Sequence, residues 1–491
     1  TRPWKTIGQA NDNLEAGDTV YIRGGTYKGQ QINPNNSGRE GSRITYRNYK
    51  NETVRLEDVG TAILLSQRRY ITVTGSPGQK IIVVNCDHGA TANYAHHIIL
   101  SYIDFGVMRN YASSRGINIG AGSTYNWMHH CDVHEFGYYS DSNDYGNMLY
   151  IGSSPAKGNA HNLVENNHIY YSGHLSLEVT GKYNVVRDNY LHNEKWYPQD
   201  NPKYGNRNME TKDYEDSTVE GWNLIEGNRF SFTGKPSDAA YSDGIQHCNH
   251  DSIIRKNMFY AIQGNGLKIA AIDRANHVDN NYIYNNVFFY NGIGGVSSRY
   301  RNAIWLRANA WNINNTVIKN NIFYKNEKNV DTLGSVTNTV REGNWESGDP
   351  LFVDAIPEKT TDPFNHNYPV FNLQSNSPFI DAGVFLIQTS TAGSGNKIQV
   401  EDAHYFMDGW GMQKMGVYGD LIQLQGQSQT ARIIDVDYEN NVITIDKSFT
   451  WSSKQGVSLQ YSGSAPDIGA FEAGSKAENT LPPPENLRIL E

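Results

Sequence analysis

The sequence predicts an all-β protein, a right-handed parallel β-helix, on three observations. First, an asparagine followed two places later by a large apolar residue recurs six times between residues 167 and 321. Second, helix signals are nearly absent, whereas short apolar runs alternate with Gly, Asn-Asn and Asn-Gly turns, as in chains of short strands. Third, no Pro/Gly/Ser-rich linker interrupts the middle of the 491 residues, which favours one elongated domain over several compact ones.

The repeated asparagines set the length of one coil. They are Asn167, Asn189, Asn228, Asn257, Asn286 and Asn321, and the apolar partners are Ile169, Leu191, Phe230, Phe259, Phe288 and Phe323. The intervals of 22, 39, 29, 29 and 35 residues suit coils with loops of variable length. Because the cross-section of a coil is fixed, the long intervals predict a decorated face, which is where such folds usually bind. We expect the asparagines to stack on one another.

Both ends of the chain fit this interpretation. Segments 22–27 and 44–46 are the predicted first strands, and the amphipathic stretch 4–14 is expected to cap the open edge of the first coil. The repeat fades after Phe323, and the motifs DPLFVDA, NLQSNSPFIDAG and PDIGAFE follow at 349–355, 372–383 and 466–472. In many secreted bacterial β-helix proteins such motifs are nearly consecutive, so their separation here indicates an insertion.

The predicted organisation therefore has three parts. Residues 1–383 form the β-helix, which 466–475 closes with a strand at 466–472. Residues 384–465 form an inserted small β-module near the C-terminus, built like a small barrel and packed at the C-terminal end, because four of its segments alternate apolar and polar residues between turns. Residues 476–491 read as a linker and the start of a truncated downstream domain.

Composition restricts the function. The net charge of −9 argues against a nucleic-acid partner, which requires a basic surface. No apolar run reaches about 18 residues, so no membrane span is predicted. The 32 tyrosines and nine tryptophans suit stacking on sugar rings. We expect a secreted bacterial monomer that acts on a polysaccharide or oligosaccharide, its signal peptide being absent from this sequence.

The stretch WKTIGQANDNLEAGDTVYIRGGTYKGQQINPNNSGREGSRITYRN at 4–48 resembles the opening of polysaccharide lyase family 6, the chondroitinase B and alginate lyase group, and of right-handed parallel β-helix repeat proteins. The resemblance implies a β-helix enzyme that degrades a polysaccharide. The family's calcium strand and its LRHG-like phrase have no clear counterpart in GHLSLEVTGKYN (173–184), so no residue role is carried over from that family. The phrase GNGLKIA (264–270) also resembles the segment that carries the base lysine of family 9 pectate lyases.

Alternation along the predicted strands identifies the candidate site. Inward pairs such as Leu177/Val179 and Leu267/Ile269 leave their intervening residues facing outward. These outward residues are Glu178, Glu210, Gln246, Lys268 and Trp305, with Ser176, Lys212 and Arg307 on the same face and Asp243 just before its strand. In register, neighbours would lie about 4.8 Å apart along a shallow exposed groove. Substitution of an exposed Lys268 would leave stability nearly unchanged.

This set of residues suits β-elimination from a uronic-acid polymer. Lys268 is the predicted base, because apolar and cationic neighbours lower the pKa of a lysine. Arg307 would neutralise the substrate carboxylate. Glu178, Glu210 and Asp243 could hold calcium, and His174 could shuttle a proton or bind sugar. The predicted substrate contacts are Trp305, Tyr150, Gln246 and Lys212.

Two other functions stay open at this point. A glycoside hydrolase could use Glu178 with Glu210, whose spacing in adjacent coils is close to that of retaining enzymes, or Glu178 with Asp243 for inversion. A non-catalytic glycan-binding or adhesion module would need only the aromatic residues. Clustered acids with shifted pKa values would argue against that module.

Overall fold

The computed structural model of the protein describes residues 3–107, 115–135, 147–152, 158–193, 207–212, 220–233, 242–272, 278–293, 301–355 and 369–475. The linker and further domain predicted at 476–491 lie outside these residues. The described part begins with a short helix, α1 (Ile7–Asn13), whose first turn is capped by the side chain of Thr6. Ile7 and Ala10 of this helix join the apolar core of the first coils, as expected for a cap on the open edge.

Three long parallel sheets form the walls of a β-helix. Sheet 1 consists of β1 (Thr19–Ile22), β3 (Ile44–Asn48), β6 (Ile71–Thr74), β9 (Ile99–Ser101), β12 (Trp127–His129), β15 (Leu163–Glu165), β18 (Val185–Arg187), β21 (Leu224–Glu226), β24 (Ile253–Arg255), β27 (Tyr282–Tyr284), β31 (Val317–Lys319) and β35 (Val340–Glu342). Sheet 2 consists of β2 (Gly25–Lys28), β4 (Val54–Glu57), β7 (Ile81–Val84), β10 (Ile103–Phe105), β13 (Asp132–His134), β16 (His168–Tyr170), β19 (Tyr190–His192), β22 (Arg229–Thr233), β25 (Met258–Ile262), β28 (Val287–Phe289) and β32 (Ile322–Tyr324).

The third wall carries the candidate site. Sheet 3 consists of β5 (Thr61–Leu64), β8 (His88–Thr91), β11 (Arg115–Ile119), β14 (Asn147–Ile151), β17 (Leu175–Thr180), β20 (Arg207–Lys212), β23 (Ile245–Cys248), β26 (Leu267–Ala271), β29 (Asn302–Ala308) and β33 (Lys328–Leu333). One strand of each sheet makes up a coil, and coils stack by parallel pairing. The fold is therefore the predicted right-handed parallel β-helix. The 39-residue interval between Asn189 and Asn228 contains β20. The residues that lengthen this interval therefore precede or follow a strand of sheet 3 in the sequence.

The predicted asparagine ladder is confirmed. The side-chain amide of each ladder asparagine donates to the side-chain oxygen of the next at 2.9–3.0 Å, from Asn167 through to Asn321. The ladder continues one coil further than predicted, to Asn344. A residue with left-handed backbone stands just before each rung, for example Lys256 with φ 55° before Asn257. This turn aims the amide along the stack, where it satisfies backbone groups that would otherwise be buried unpaired.

The core inside the coils follows the same repeat. The rings of Phe230, Phe259, Phe288 and Phe323 stack with centroids 4.7–5.2 Å apart. A second ladder, which the sequence repeat did not reveal, joins Asn126, Asn162, Asn184 and Asn223. The two ladders and the aromatic stack hold successive coils in one register, which fixes the alignment of the outward side chains.

The parallel coils end earlier than predicted, and their closure differs. After the short pair β30 (Ile313–Asn314) and β34 (Val336–Thr337), an antiparallel pair follows, β36 (Phe352–Asp354) with β37 (Val370–Leu373). The predicted strand at 466–472 is wrong, since this segment has no strand pairing. It runs instead beside a turn of the coils, where Asn285 donates to the carbonyls of Asp467 and Gly469 at 3.1 Å.

The inserted segment folds as a small antiparallel barrel. Its strands are β38 (Ile387–Gln388), β39 (Gly393–Gln399), β40 (Leu421–Leu424), β41 (Thr430–Asp437), β42 (Val442–Trp451) and β43 (Gly456–Leu459), with 3₁₀ turns at Ala403–Tyr405 and Gln413–Met415. A bridge between Thr389 and Val400 joins the two outer strands of the sheet. Alternating apolar residues fill its interior, as the sequence predicted.

The barrel does not pack at the C-terminal end of the coils, as we expected, but along the outer face of sheet 1. It forms one apolar cluster with outward residues such as Leu224, Ile253 and Tyr282. Within that contact the guanidinium of Arg255 donates twice to the carboxylate of Asp420, at 2.6 and 2.8 Å. The barrel thus covers the part of sheet 1 from β12 to β31. Among the described residues no helix has the length and apolar character needed to cross a membrane.

Candidate active site

Sheet 3 places the predicted outward residues in one row. Tyr150 pairs with Glu178, Glu178 with Glu210 and Glu210 with Gln246 in the strand register. Gln246 in turn aligns with Lys268, which aligns with Trp305. We call these six residues the central row. The alternation of inward and outward side chains, anchored by the asparagine ladder, produces this alignment.

The central row is buried, which corrects the expected shallow exposed groove. The exposed fraction is 1% for Lys268, 2% for Glu178 and Glu210, and 3% for Gln246 and Trp305. Charged groups out of water require partners, because unpaired burial is costly. The contacts of each charge therefore define the chemistry of the site.

Lys268 is paired with Asp243. Its ammonium donates to Oδ2 of Asp243 at 2.9 Å, while the Asn265 side-chain amide donates to Oδ1 at 2.7 Å. Burial lowers the pKa of Lys268, with Arg207 acting in the same direction and Asp243 opposing it. The direction of this pKa shift agrees with the prediction, and burial is its main cause.

Glu178 and Glu210 form a second cluster with Lys212. The Lys212 ammonium lies 3.2 Å from Oε1 of Glu178 and 3.5 Å from Oε2 of Glu210. Burial opposes ionisation of Glu210, but the charges of Lys212 and Arg207 outweigh it and lower its pKa to about 2. Gln246 donates to the other oxygen of Glu210, and Asn147 donates to Oε2 of Glu178. Glu210 is therefore a carboxylate in this site.

Arg207 joins the two clusters and was missed by the sequence analysis. Its guanidinium donates to Glu210 at 3.3 Å and lies 3.6 Å from Asp243. Arg207 is two residues before the inward residue Met209, so strict alternation along β20 would place its side chain inside the coil. It is the first residue of β20, where the side chain is free to leave the strand's alternation. The sequence feature that could have identified Arg207 is its charge, at the start of a strand whose outward face carries the acidic residue Glu210.

The remaining predicted residues lie around these clusters. Burial, with a further contribution from Arg207, lowers the pKa of His174 to about 3, so its ring is neutral at pH 7 and contacts Asn147 at 3.4 Å. The Trp305 ring lies 6.0 Å from the Lys268 ammonium and 5.4 Å from the Arg307 guanidinium, within cation–π range of both. Arg307 is half-buried and lies two residues after Trp305 on the same strand, β29.

The carboxylates predicted to bind calcium do not converge as a metal site. Glu178 and Glu210 are adjacent, but Asp243 is held by Lys268 and Asn265. Within the described ranges no group of three or more His, Cys, Asp or Glu side chains has a geometry that could hold a metal ion. Calcium takes six to eight oxygen ligands at about 2.3–2.6 Å. The described residues therefore do not fit it.

Several solved structures resemble this chain in outline. Pectate lyase Pel9A has a TM-score of 0.46 at 16% sequence identity, and the match covers 95% of this chain and 90% of the Pel9A chain. The family 6 alginate lyase AlyGC has a TM-score of 0.41 at 16% identity, and the match covers 66% of this chain and 39% of the AlyGC chain. XylC in complex with xylose has a TM-score of 0.45 at 9% identity, and the match covers 93% of this chain and 96% of the XylC chain. The fold assignment rests on the three sheets, since these similarities are distant.

Sequence relatives add little. The uncharacterized protein YwoF of Bacillus subtilis is 43% identical over 53 residues, which is 11% of this chain. The matched part also spans only 11% of that protein's length. No family model matches the chain. Function must therefore be inferred from the site itself.

Proposed function

We propose that the protein is a polysaccharide lyase that cleaves a uronic-acid-containing glycan by β-elimination. The observation that carries this proposal is Lys268, a buried amine with a lowered pKa, in a site where Arg207, Lys212 and Arg307 supply positive charge. Elimination needs a base for a weakly acidic proton and cations for the carboxylate beside it. Both are within this one face of sheet 3.

The reaction would proceed through groups of this chain. The neutral amine of Lys268 takes the proton next to the substrate carboxylate, whose developing charge Arg207 and Arg307 stabilise. The electron pair left on carbon forms the new double bond, and the bond to the glycosidic oxygen breaks. The leaving glycosidic oxygen takes its proton from the Lys268 ammonium formed in the first step, which returns the amine to its neutral form. Asp243 holds the Lys268 side chain in place through the 2.9 Å contact.

The glycan has to reach a buried amine. Because Lys268 is 1% exposed, substrate binding must uncover its amino group and replace some of its present contacts. Trp305 and Tyr150 border the charged part of the central row on its two sides, and their rings suit stacking on sugar faces. We propose that the sugar chain runs along this row, across successive coils.

A hydrolase is less well supported by the same residues. Retaining and inverting glycosidases need one carboxyl group that carries a proton at the working pH. The pKa of Glu210 is lowered to about 2, and Glu178 is paired with Lys212 at 3.2 Å. A binding module would not need a buried amine with a lowered pKa, and groups with strongly shifted pKa values cluster at active sites.

The test is a panel of acidic and neutral polysaccharides incubated with the protein. Elimination produces an unsaturated uronate, so both ultraviolet absorbance and reducing ends should rise together on an acidic glycan. Reducing ends without absorbance would assign a hydrolase, and no signal on any substrate would leave the binding module. We also propose that the protein acts outside the bacterial cell, where such polymers occur, and detection of the protein in culture medium tests this.

A further inference from the structure

Lys212 occupies the space between two carboxylates of neighbouring coils. Strands β17 and β20 pair so that Glu178 aligns with Glu210 and Thr180 with Lys212. The Lys212 ammonium turns back to lie 3.2 Å from Glu178 and 3.5 Å from Glu210. One positive charge is thus shared by two glutamates that the strand register forces together.

Each oxygen of this glutamate pair already has a donor. Lys212 contacts Oε1 of Glu178, and Asn147 donates to Oε2. Gln246 donates to Oε1 of Glu210, while Arg207 and Lys212 both reach Oε2. These donors are ammonium, guanidinium and amide groups, none of which can ligate a cation through nitrogen. A divalent ion could enter only by displacing them.

Electrostatics explains why some cation must be present. Two carboxylates in adjacent strands lie about 4.8 Å apart, and their repulsion is strong out of water. Calcium is one solution, but it needs more oxygen ligands than this pair can offer. An ammonium on the same face neutralises part of the charge and remains covalently attached to the chain.

We propose that Lys212 takes the place of a divalent cation in this site, so that the Glu178–Glu210 pair works without a metal. Lys212 is then a positioning residue that fixes both carboxylates and keeps a positive charge beside them. This inference replaces the calcium expected from the sequence, and it rests on the proposed lyase function only for the step in which that charge faces a substrate carboxylate.

Calcium binding tests the proposal without any activity measurement. Protein treated with a chelator is titrated with calcium chloride by calorimetry, and its melting temperature is measured with and without the ion. The wild type should give no stoichiometric binding and no shift. Lys212→Met removes the ammonium from the carboxylate pair, so it should melt lower than the wild type, and added calcium should recover part of that loss.

Lys319→Met is the control. The Lys319 ammonium lies 3.0 Å from a single carboxylate, that of Glu342, and donates to the Leu386 carbonyl at 3.0 Å. Its variant should lose stability without recovery by calcium. Stoichiometric binding by the wild type that Glu178→Gln weakens would overturn the proposal, and this holds even if Lys212→Met fails to fold. Equal melting temperatures for Lys212→Met and the wild type would overturn it as well. Neither result bears on whether the protein is a lyase.

Discussion

The ammonium of Lys268 donates a 2.9 Å hydrogen bond to Asp243, and both side chains are almost fully removed from solvent, at 1% and 0% exposure. An amine in this position can serve two purposes. As a cation it balances a buried carboxylate, and as a neutral group with a lowered pKa it can accept a proton. Substitutions at Lys268 must therefore be interpreted for stability and for chemistry separately.

Removal of the Lys268 ammonium should destabilise the protein. Lys268→Met leaves Asp243 buried with only Asn265 and the more distant Arg207, and breaking such a pair costs about 3–5 kcal/mol. Urea unfolding measures the free energy of unfolding. Lys397→Met, on an exposed strand position of the barrel, is the control and should change it little. A loss at Lys268 no larger than that of the control would show that the ion pair is not what we describe.

Glu210 should make stability depend on acid pH. Its folded pKa is lowered to about 2 from an ordinary value of 4.5, so its contribution is complete above about pH 4.5 and is lost as the pH falls toward 2. At neutral pH the shift corresponds to roughly 3 kcal/mol. The stability difference between wild type and Glu210→Gln should therefore shrink between these two pH values. A difference that stays constant over that interval would contradict the lowered pKa.

The asparagine ladder should contribute measurably to the stability of the coils. Asn257 accepts from the backbone amide and the side chain of Asn228 at 3.0 Å, and donates to Asn286. Asn257→Ala leaves buried donors unpaired and should cost about 1–3 kcal/mol in thermal or urea unfolding. Asn309→Ala, at an exposed position, should cost little. Equal effects at the two sites would argue against the ladder as a stabilising element.

Sequence patterns predicted which residues share the central row, because alternation and the repeated asparagine together fix strand phase. Glu178, Glu210 and Lys268 align as expected. The burial of these side chains was not predicted. The alternation of residues along a strand predicts which way each side chain points, but not which other parts of the protein cover that face. Arg207 was not among the predicted residues, because strict alternation would place it inside the coil, yet at the start of its strand it reaches Glu210. The ends of strands are where the two-residue period stops constraining side chains.

The C-terminal region shows a similar limit. The segments of the barrel were predicted from their alternation, but its position beside sheet 1 depends on contacts such as that of Arg255 with Asp420, 165 residues apart. No local pattern contains that information. The motif at 466–472 resembled a strand, although it has no strand partner and is held by Asn285 through its carbonyl oxygens.

The pair Arg255–Asp420 should anchor the barrel to the coils. Both side chains are buried, and their contact is bidentate at 2.6 and 2.8 Å. Arg255→Met should destabilise by about 3–5 kcal/mol, because Asp420 loses its partner. Adding Asp420→Leu should recover part of the loss, so the two effects should not be additive in a double-mutant cycle. Additive effects would show that the contact does not hold the barrel. So would rates of proteolysis of both variants that are no faster than that of the wild type.

The most direct test of the proposed function is the turnover of Lys268→Arg on a glycan that the wild type cleaves. Arginine keeps the positive charge beside Asp243, so the variant should unfold near the wild-type temperature, but its guanidinium stays protonated and cannot act as a base. We expect the rate of ultraviolet absorbance increase to fall by about 10²–10⁴-fold, the usual contribution of a general base. Wild-type turnover by a stably folded Lys268→Arg protein would contradict the assignment of Lys268 as the base.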